Sequence, residues 1–395
     1  MRILVCSPSA PLPPLDGARL QLSHLCVELA KRHEVCVLAY RRQNQHGEPP
    51  AGVELLELTP PPGSALARAR TGLRALVHGE PLAATALAEP MKLAIGELME
   101  RRRFDVAQVA GGALAAVAPA LEALPAVLGP VDAWHLNVAA GARSGSPLVR
   151  PMRRLNERLV RRFAGTAYRP YRRVVTVSPE DAAALRTLDP SLSVEVVPNG
   201  VDTDFYAPEP TVERESGLIV FLGAMQWPPN AQAARWLAER VLPRVRAQRP
   251  GAHVAIVGRR PAEDVLALAA LEGVQVTGEV PDVRPWLWGA QAFACSMVSG
   301  TGIKNKLLEA LACGAPCVAT SLACQGADVA AGSDLLVADS EERFAQAVTR
   351  LLDDPRLRER LGTAGRAAAV ERHGWDRAAR AYERIHEDAL RETAT

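Results

Sequence analysis

The residues 299–311, SGTGIKNKLLEAL, set two glycines, two lysines and a lone glutamate within thirteen positions. Gly300 and Gly302 let the backbone approach a ligand closely, and the loop runs into a helix whose first N–H groups favour an anion. Lys304 and Lys306 add positive charge at the same end. Glu309 lies one to two turns into that helix, too deep to cap it, where a carboxylate can accept hydrogen bonds from a vicinal diol such as a ribose. Anion cradle, cations and diol acceptor together describe a site for a nucleoside diphosphate sugar. Taken alone, the glycine spacing is shared by many strand-to-helix loops, so a well-packed connection without a ligand stays open at this point.

Elements on both sides have to hold this loop. At 395 residues the chain exceeds what one hydrophobic core usually supports, and two domains are expected. Short apolar runs alternate with helical patterns from the start: RILVCS, then LQLSHLCVELAKR, then HEVCVLAY, which is a strand–helix–strand unit. GVELLEL, FDVAQVAG, PAVLGPVD, RRVVTVS and SVEVVPNGVD continue the series. Ser178 and Pro179 suit the cap and first turn of the helix PEDAAALRTL. A polar, proline-bearing stretch at 203–217 reads as a linker. The pattern then restarts with LIVFLGA, HVAIVG, VQVTGEV, AFACSMV, APCVATS and DLLVA as strands, and closes on a long amphipathic helix from Trp375. The expected fold is α/β: two Rossmann-like, doubly wound domains facing across a cleft, spanning 1–207 and 208–374, with 375–395 crossing back to the first.

Composition narrows the class. Hydrophobic residues make up 48% and charged residues 23%, an ordinary globular balance, and a net charge of +2 gives no reason to expect nucleic acid. Seven cysteines include no CxxC pair, and several sit inside apolar runs, which fits reduced thiols in a cytoplasm. The first residues read as a strand and not as a signal peptide, and no apolar run is long enough to span a membrane. Neither opening strand leads into GxGxxG, which argues against a dehydrogenase.

Four segments carry a family resemblance over residues 2 to 390. VVTVSPEDAAAL, VEVVPNGVDTDFY (with Asn199, Gly200 and Asp202), VQVTGEVPDV and LLEALACGAPCVAT resemble the GT-B fold glycosyltransferases of family GT4. GTGIKNKLLEAL, PPLDGAR and GAMQWPPN look most like the sugar transferases of exopolysaccharide-type gene clusters. The resemblance makes Glu309 the ribose-binding glutamate, places Val280 in a segment flanking the base, and sets Gly17 in a loop whose backbone can approach the departing phosphate. Related enzymes place an active-site histidine or aspartate in the segment GPVDAWHLNVAAGAR, so Asp132 and His135 are the catalytic candidates; a helix cap and a packed ring are the structural alternatives. His24 and His33 read as structural, and Asn199 and Asp202 as shaping a turn.

Two departures stand out. The family's paired glutamates are eight positions apart, but here the first position is Thr301. Its arginine and lysine after the first strand of the second domain are missing from GAMQWPPN, which has no cation between Gly223 and Asn230. The diphosphate charge then falls to Lys304, aided by Lys306. The expected donor-binding set is Gly17, Gly223, Asn230, Val280, Gly300, Thr301, Gly302, Ile303, Lys304, Asn305, Lys306 and Glu309. No cofactor and no metal are implied; the nucleotide sugar is a co-substrate, with uridine the expected base.

The implied function is a retaining glycosyl transfer from a nucleoside diphosphate sugar to a hydroxyl acceptor such as a growing glycan, a lipid-linked saccharide or a small natural product. A nucleotide-sugar epimerase or phosphorylase of the same fold, or a non-catalytic nucleotide-sugar-binding protein, is the alternative. Residues 150–173 hold nine arginines against Glu157 alone. Such a stripe suits either a solvated helix face or peripheral contact with an anionic membrane at its inner face.

Overall fold

The computed structural model describes residues 1–11, 17–41, 49–61, 64–143 and 150–394. Residues 12–16, most of the expected glycine-bearing loop before Gly17, lie outside them. The chain divides into two compact units, Met1–Pro198 with Trp375–Thr395, and Asn199–Gly374.

The first unit runs β1 (Arg2–Ser7), α1 (Gly17–Ala30), β2 (Glu34–Tyr40), β3 (Val53–Leu58), α2 (Ala65–His78), α3 (Leu82–Arg101) and β4 (Val106–Ala110). A 3₁₀ stretch, Gly112–Leu121, leads to β5 (Ala126–Val131), α4 (Trp134–Arg143), α5 (Arg150–Ala167), β6 (Arg173–Thr176), α6 (Pro179–Leu188) and β7 (Val194–Val196). The strands form one parallel sheet in the order β3-β2-β1-β4-β5-β6-β7. Strands buried on both faces need near-continuous apolar sequence, and RILVCS and EVCVLAY supply it. One face carries Met91, Ile95, Leu114 and Phe163; the other carries Leu22, Leu25 and Leu29 with the C-terminal helix Trp375–Ala394. That helix buries Trp375, Ala378, Ala379, Tyr382, Ile385 and Ala389, a stripe at helical spacing. His24 stacks on Trp375 at 5.1 Å, and His33 Nε2 lies 2.6 Å from Glu383, so both histidines pack the helix down.

The second unit repeats the plan: β8 (Leu218–Leu222), α7 (Pro228–Arg235), α8 (Leu242–Arg246), β9 (His253–Val257), α9 (Glu263–Leu266), β10 (Val274–Gly278), α10 (Arg284–Gly289), β11 (Ala292–Cys295), α11 (Asn305–Ala312), β12 (Cys317–Ala319), β13 (Leu336–Val337), α12 (Glu341–Asp353) and α13 (Pro355–His373). Its sheet is also parallel, ordered β10-β9-β8-β11-β12-β13. N-caps start the helices where the sequence provides them: Ser340 accepts from Arg343 N ahead of α12, and Asp354 accepts from Leu357 N ahead of α13.

The compact units divide at 198/199, nine residues before the expected 207/208. The residues after Pro198 are polar, but their backbone is fastened to the second unit. Val201 N donates to His373 O at 2.6 Å, Arg366 Nη1 donates to the carbonyls of Thr203 and Tyr206, and Trp288 Nε1 donates to Ala207 O. A linker composition cannot register such side-chain ties from distant helices.

Candidate functional site

In each sheet the strand order reverses once, and ligands of doubly wound folds bind outside the carboxyl ends of the strands at that reversal. In the second unit the reversal falls between β8 and β11. The loop after β8 carries Gly223 and leads into α7, whose first turn holds Asn230, and the loop after β11 carries residues 298–304, leading into α11. Here the chain brings most of the expected donor-binding set together.

Gly300 and Gly302 have φ of 103° and 70°, a region that side-chain-bearing residues rarely adopt. Ile303 is half-buried and Thr301 exposed. Lys304 is buried, and its ammonium turns back onto its own loop, donating to the carbonyls of Thr301 and Gly302. Asn305 Oδ1 accepts from Asn199 Nδ2 at 3.0 Å, tying the start of α11 to the first residue of the unit. Asn199 therefore does more than shape a turn. Asp202 does shape one, accepting from Phe205 N at 2.9 Å.

Lys306 joins the start of α11 to the start of α7. Its Nζ donates to Asn230 Oδ1 at 2.6 Å and stands 4.5 Å from the centre of the Phe221 ring. Asn230 Nδ2 in turn donates to Ala224 O at 3.0 Å. A Cβ on Gly223 would come within 2.8 Å of Asn230 Nδ2 and 2.9 Å of Lys306 Nζ, so only glycine leaves room for this cluster. The same crowding recurs next door, where a Cβ on Gly258 would collide with the Gly223 carbonyl. Burial pushes the Lys306 ammonium down to about 8.

Glu309 sits one turn beyond Lys306 on α11. Burial pushes its carboxyl up to about 7, with Lys306 pulling the other way. Among the described residues it has no hydrogen-bond partner. A half-buried carboxylate without a donor is unfavourable in the empty protein and suited to a ligand that brings hydroxyls. Val280 follows β10 and is half-buried.

Gly17, Asp132 and His135 belong to the first unit. Gly17 opens α1. Asp132 follows Val131, a β-branched residue held at φ 73° where β5 and β6 shift register. This turn is held by Asp181, which accepts from Ala133 N at 2.9 Å and from Ser178 Oγ at 2.5 Å. His135 is buried in the first turn of α4, and its Nδ1 has no partner among the described residues. Burial, and then Arg161, push its imidazole below the usual range, against an opposing pull from Asp181.

A cavity of about 300 Å³ opens at the first unit's own reversal between β1 and β4, lined by Ser7, Arg19, Gln108, Gly111, Gly129, Val131 and Tyr382 among others. Neither Asp132 nor His135 is among its described lining residues. Gln108 is buried within the sheet and its Oε1 has no partner. The sequence reading passed over Gln108, although a lone amide inside FDVAQVAG is itself a signal. It also missed Asp181, whose capping-box spacing from Ser178 was legible, whereas its bond to Ala133, 48 residues away, was not. Among the described residues no cluster of three His, Cys, Asp or Glu side chains is placed to hold a metal ion.

Comparison with known proteins decides the family. The description "Glycosyltransferase Family 4" matches residues 15–205, and "Glycosyl transferases group 1" matches residues 216–354. The chain belongs to the family 4 glycosyltransferases. Among curated relatives, this glycosyltransferase is 32% identical over 212 residues to a GDP-mannose-dependent alpha-(1-6)-phosphatidylinositol monomannoside mannosyltransferase of Mycolicibacterium smegmatis, covering 47% of this chain and 54% of that one. It is 28% identical over 225 residues to an alpha-maltose-1-phosphate synthase of Mycobacterium tuberculosis, covering 48% and 55%. The chain thus spans about half the length of the curated relatives it matches. Solved structures agree on the GT-B fold: sucrose-phosphate synthase of Thermosynechococcus elongatus superposes with a TM-score of 0.75 at 14% identity, covering 99% of this chain and 100% of that one. Anabaena HepE in complex with UDP gives 0.66 at 15% identity, covering 98% and 100%.

Proposed function

We propose that this chain transfers a glycosyl group from a nucleoside diphosphate sugar to a hydroxyl acceptor, with retention at the anomeric carbon. Glu309 carries the reading: a carboxylate pushed up to about 7, without a donor among the described residues, one turn from the half-buried Lys306 at the sheet's reversal. A ribose diol would supply the missing donors. The amides of residues 300–304 and the start of α11 would face the diphosphate, with Lys306 as the cation set between the two loops. In the transfer, the bond from the anomeric carbon to the diphosphate oxygen breaks, and the acceptor oxygen bonds to the same face. The acceptor proton ends on the departing diphosphate. This chain's own groups then act by positioning and by stabilising charge on the leaving group.

The donor base is uridine on the sequence reading, and the GDP-mannose named for a relative adds guanosine to the bases to test. That relative is also named for a phosphatidylinositol mannoside, so a lipid-borne hydroxyl is the first acceptor class to test. The experiment is calorimetry with UDP and GDP, followed by release of nucleoside diphosphate from their sugars on adding acceptor. Binding of one diphosphate, and release that needs both acceptor and Glu309, is the expected result. Failure of both diphosphates to bind overturns the reading.

A further inference from the structure

We infer that α2 and the N-terminal half of α5 form a docking surface for an anionic lipid bilayer. α2 is turned inside out. Leu66, Arg70, Leu73 and Val77 recur every three or four residues and so share one face. That face points to solvent, with Leu66 64%, Leu73 65% and Val77 73% exposed. Ala75, on the opposite face, is the one buried residue among those of α2 whose side chains are described. α5 does the same over its first two turns: Met152 and Leu155 are 70% and 49% exposed, although the stripe they begin continues into buried Phe163. The end of α2 comes near α5, since the Arg162 guanidinium would lie 3.5 Å from a Cβ built on Gly79, the residue after α2. Both belong to the layer covering the sheet face that carries Met91 and Phe163.

Charge selects the occupant. α2 and α5 together hold nine arginines and one acid, Glu157, a balance of +8 in a chain of net +2, so all other residues sum to −6. On α2, Arg74 pairs with Glu89 at 3.6 Å. A nucleic acid would match the arginines but leave the leucine and valine stripe in water. A bilayer interface takes both, because apolar side chains enter the acyl boundary while arginine stems snorkel to the headgroup phosphates.

The test is flotation of the full chain with phosphatidylcholine vesicles, with and without phosphatidylglycerol. Binding is expected only with the anionic lipid, weakening as salt rises. Arg70→Gln, Arg154→Gln and Arg158→Gln should each lower the partition coefficient about fivefold, the equivalent of about 1 kcal/mol for each basic residue near a charged surface. Leu73→Asp with Val77→Asp should abolish binding without lowering the melting temperature, because both side chains are in water in the unbound protein. Nucleoside diphosphate binding, measured in parallel, should stay unchanged, which separates this surface from the donor site. No binding to anionic vesicles at low salt overturns the inference. So does binding indifferent to the two aspartates, which would mark a purely electrostatic face. A dimer in solution that these aspartates dissolve would assign the stripe to a second copy of the chain and also overturn it.

Discussion

Glu309→Gln should strengthen the empty protein and weaken the liganded one. Burial raises the carboxyl from about 4.5 to about 7. Between those values the folded chain holds a proton that the unfolded chain has released, so stability falls as pH rises through that window. A displacement of that size corresponds to at most about 3 kcal/mol above pH 7. Glutamine has the same shape and never ionises. The variant should therefore match wild type near pH 4 and melt higher at pH 8, by several degrees for a unit of this size. With nucleoside or nucleoside diphosphate the order should reverse. Loss of the charge-assisted bonds to the ribose diol costs about 1.5–3 kcal/mol each, and both ligands should lose alike. A diol also favours the ionised carboxylate, so binding near pH 6 should release a proton, seen as a buffer-dependent enthalpy that is absent from the variant. Melting curves at pH 5 and 8 and calorimetry in two buffers cover all of this. If Glu309→Gln melts lower than wild type at pH 8 and binds nucleotide as tightly, the carboxylate is an ordinary structural group and the reasoning fails.

Lys306→Met should weaken nucleoside diphosphate far more than nucleoside, as titration of both ligands would show; equal losses would remove it from the phosphate site. Because its ammonium is pushed down to about 8, diphosphate affinity in wild type should fall above that pH, and this decline should vanish in the variant. Gly223→Ala should displace Lys306 or Asn230 and lower diphosphate affinity at least tenfold while the protein stays folded by circular dichroism, since its Cβ would press on both side chains. Asp181→Ala should cost about 1–3 kcal/mol in denaturant unfolding, because it leaves the buried Ala133 N–H without its acceptor.

The fold was legible because parallel strands buried on both faces must be written as apolar runs, and every expected run from RILVCS to DLLVA forms a strand. The tight strand-to-helix loop at 298–304 was legible because positive-φ glycines leave a mark in the sequence. What stayed hidden was direction. Lys304 and Lys306 are equivalent in a sequence, two cations two residues apart at one helix end. In the fold one ammonium bends back onto the carbonyls of its own loop, while the other crosses to Asn230 in the first turn of α7, just after the β8 loop. That crossing reaches the segment GAMQWPPN, where the family's cations are missing. A lysine donated from α11 into the space that Gly223 leaves open sets a cation beside this loop without a basic residue within it. The glycine, the asparagine and the lysine are therefore one device spread over 84 positions of chain, Gly223 to Lys306. Substituting any one of them should disturb the other two, so the double variant Gly223→Ala with Lys306→Met should lose little more diphosphate affinity than either alone. Additive losses would mean that the glycine and the lysine act independently, and the device would not exist.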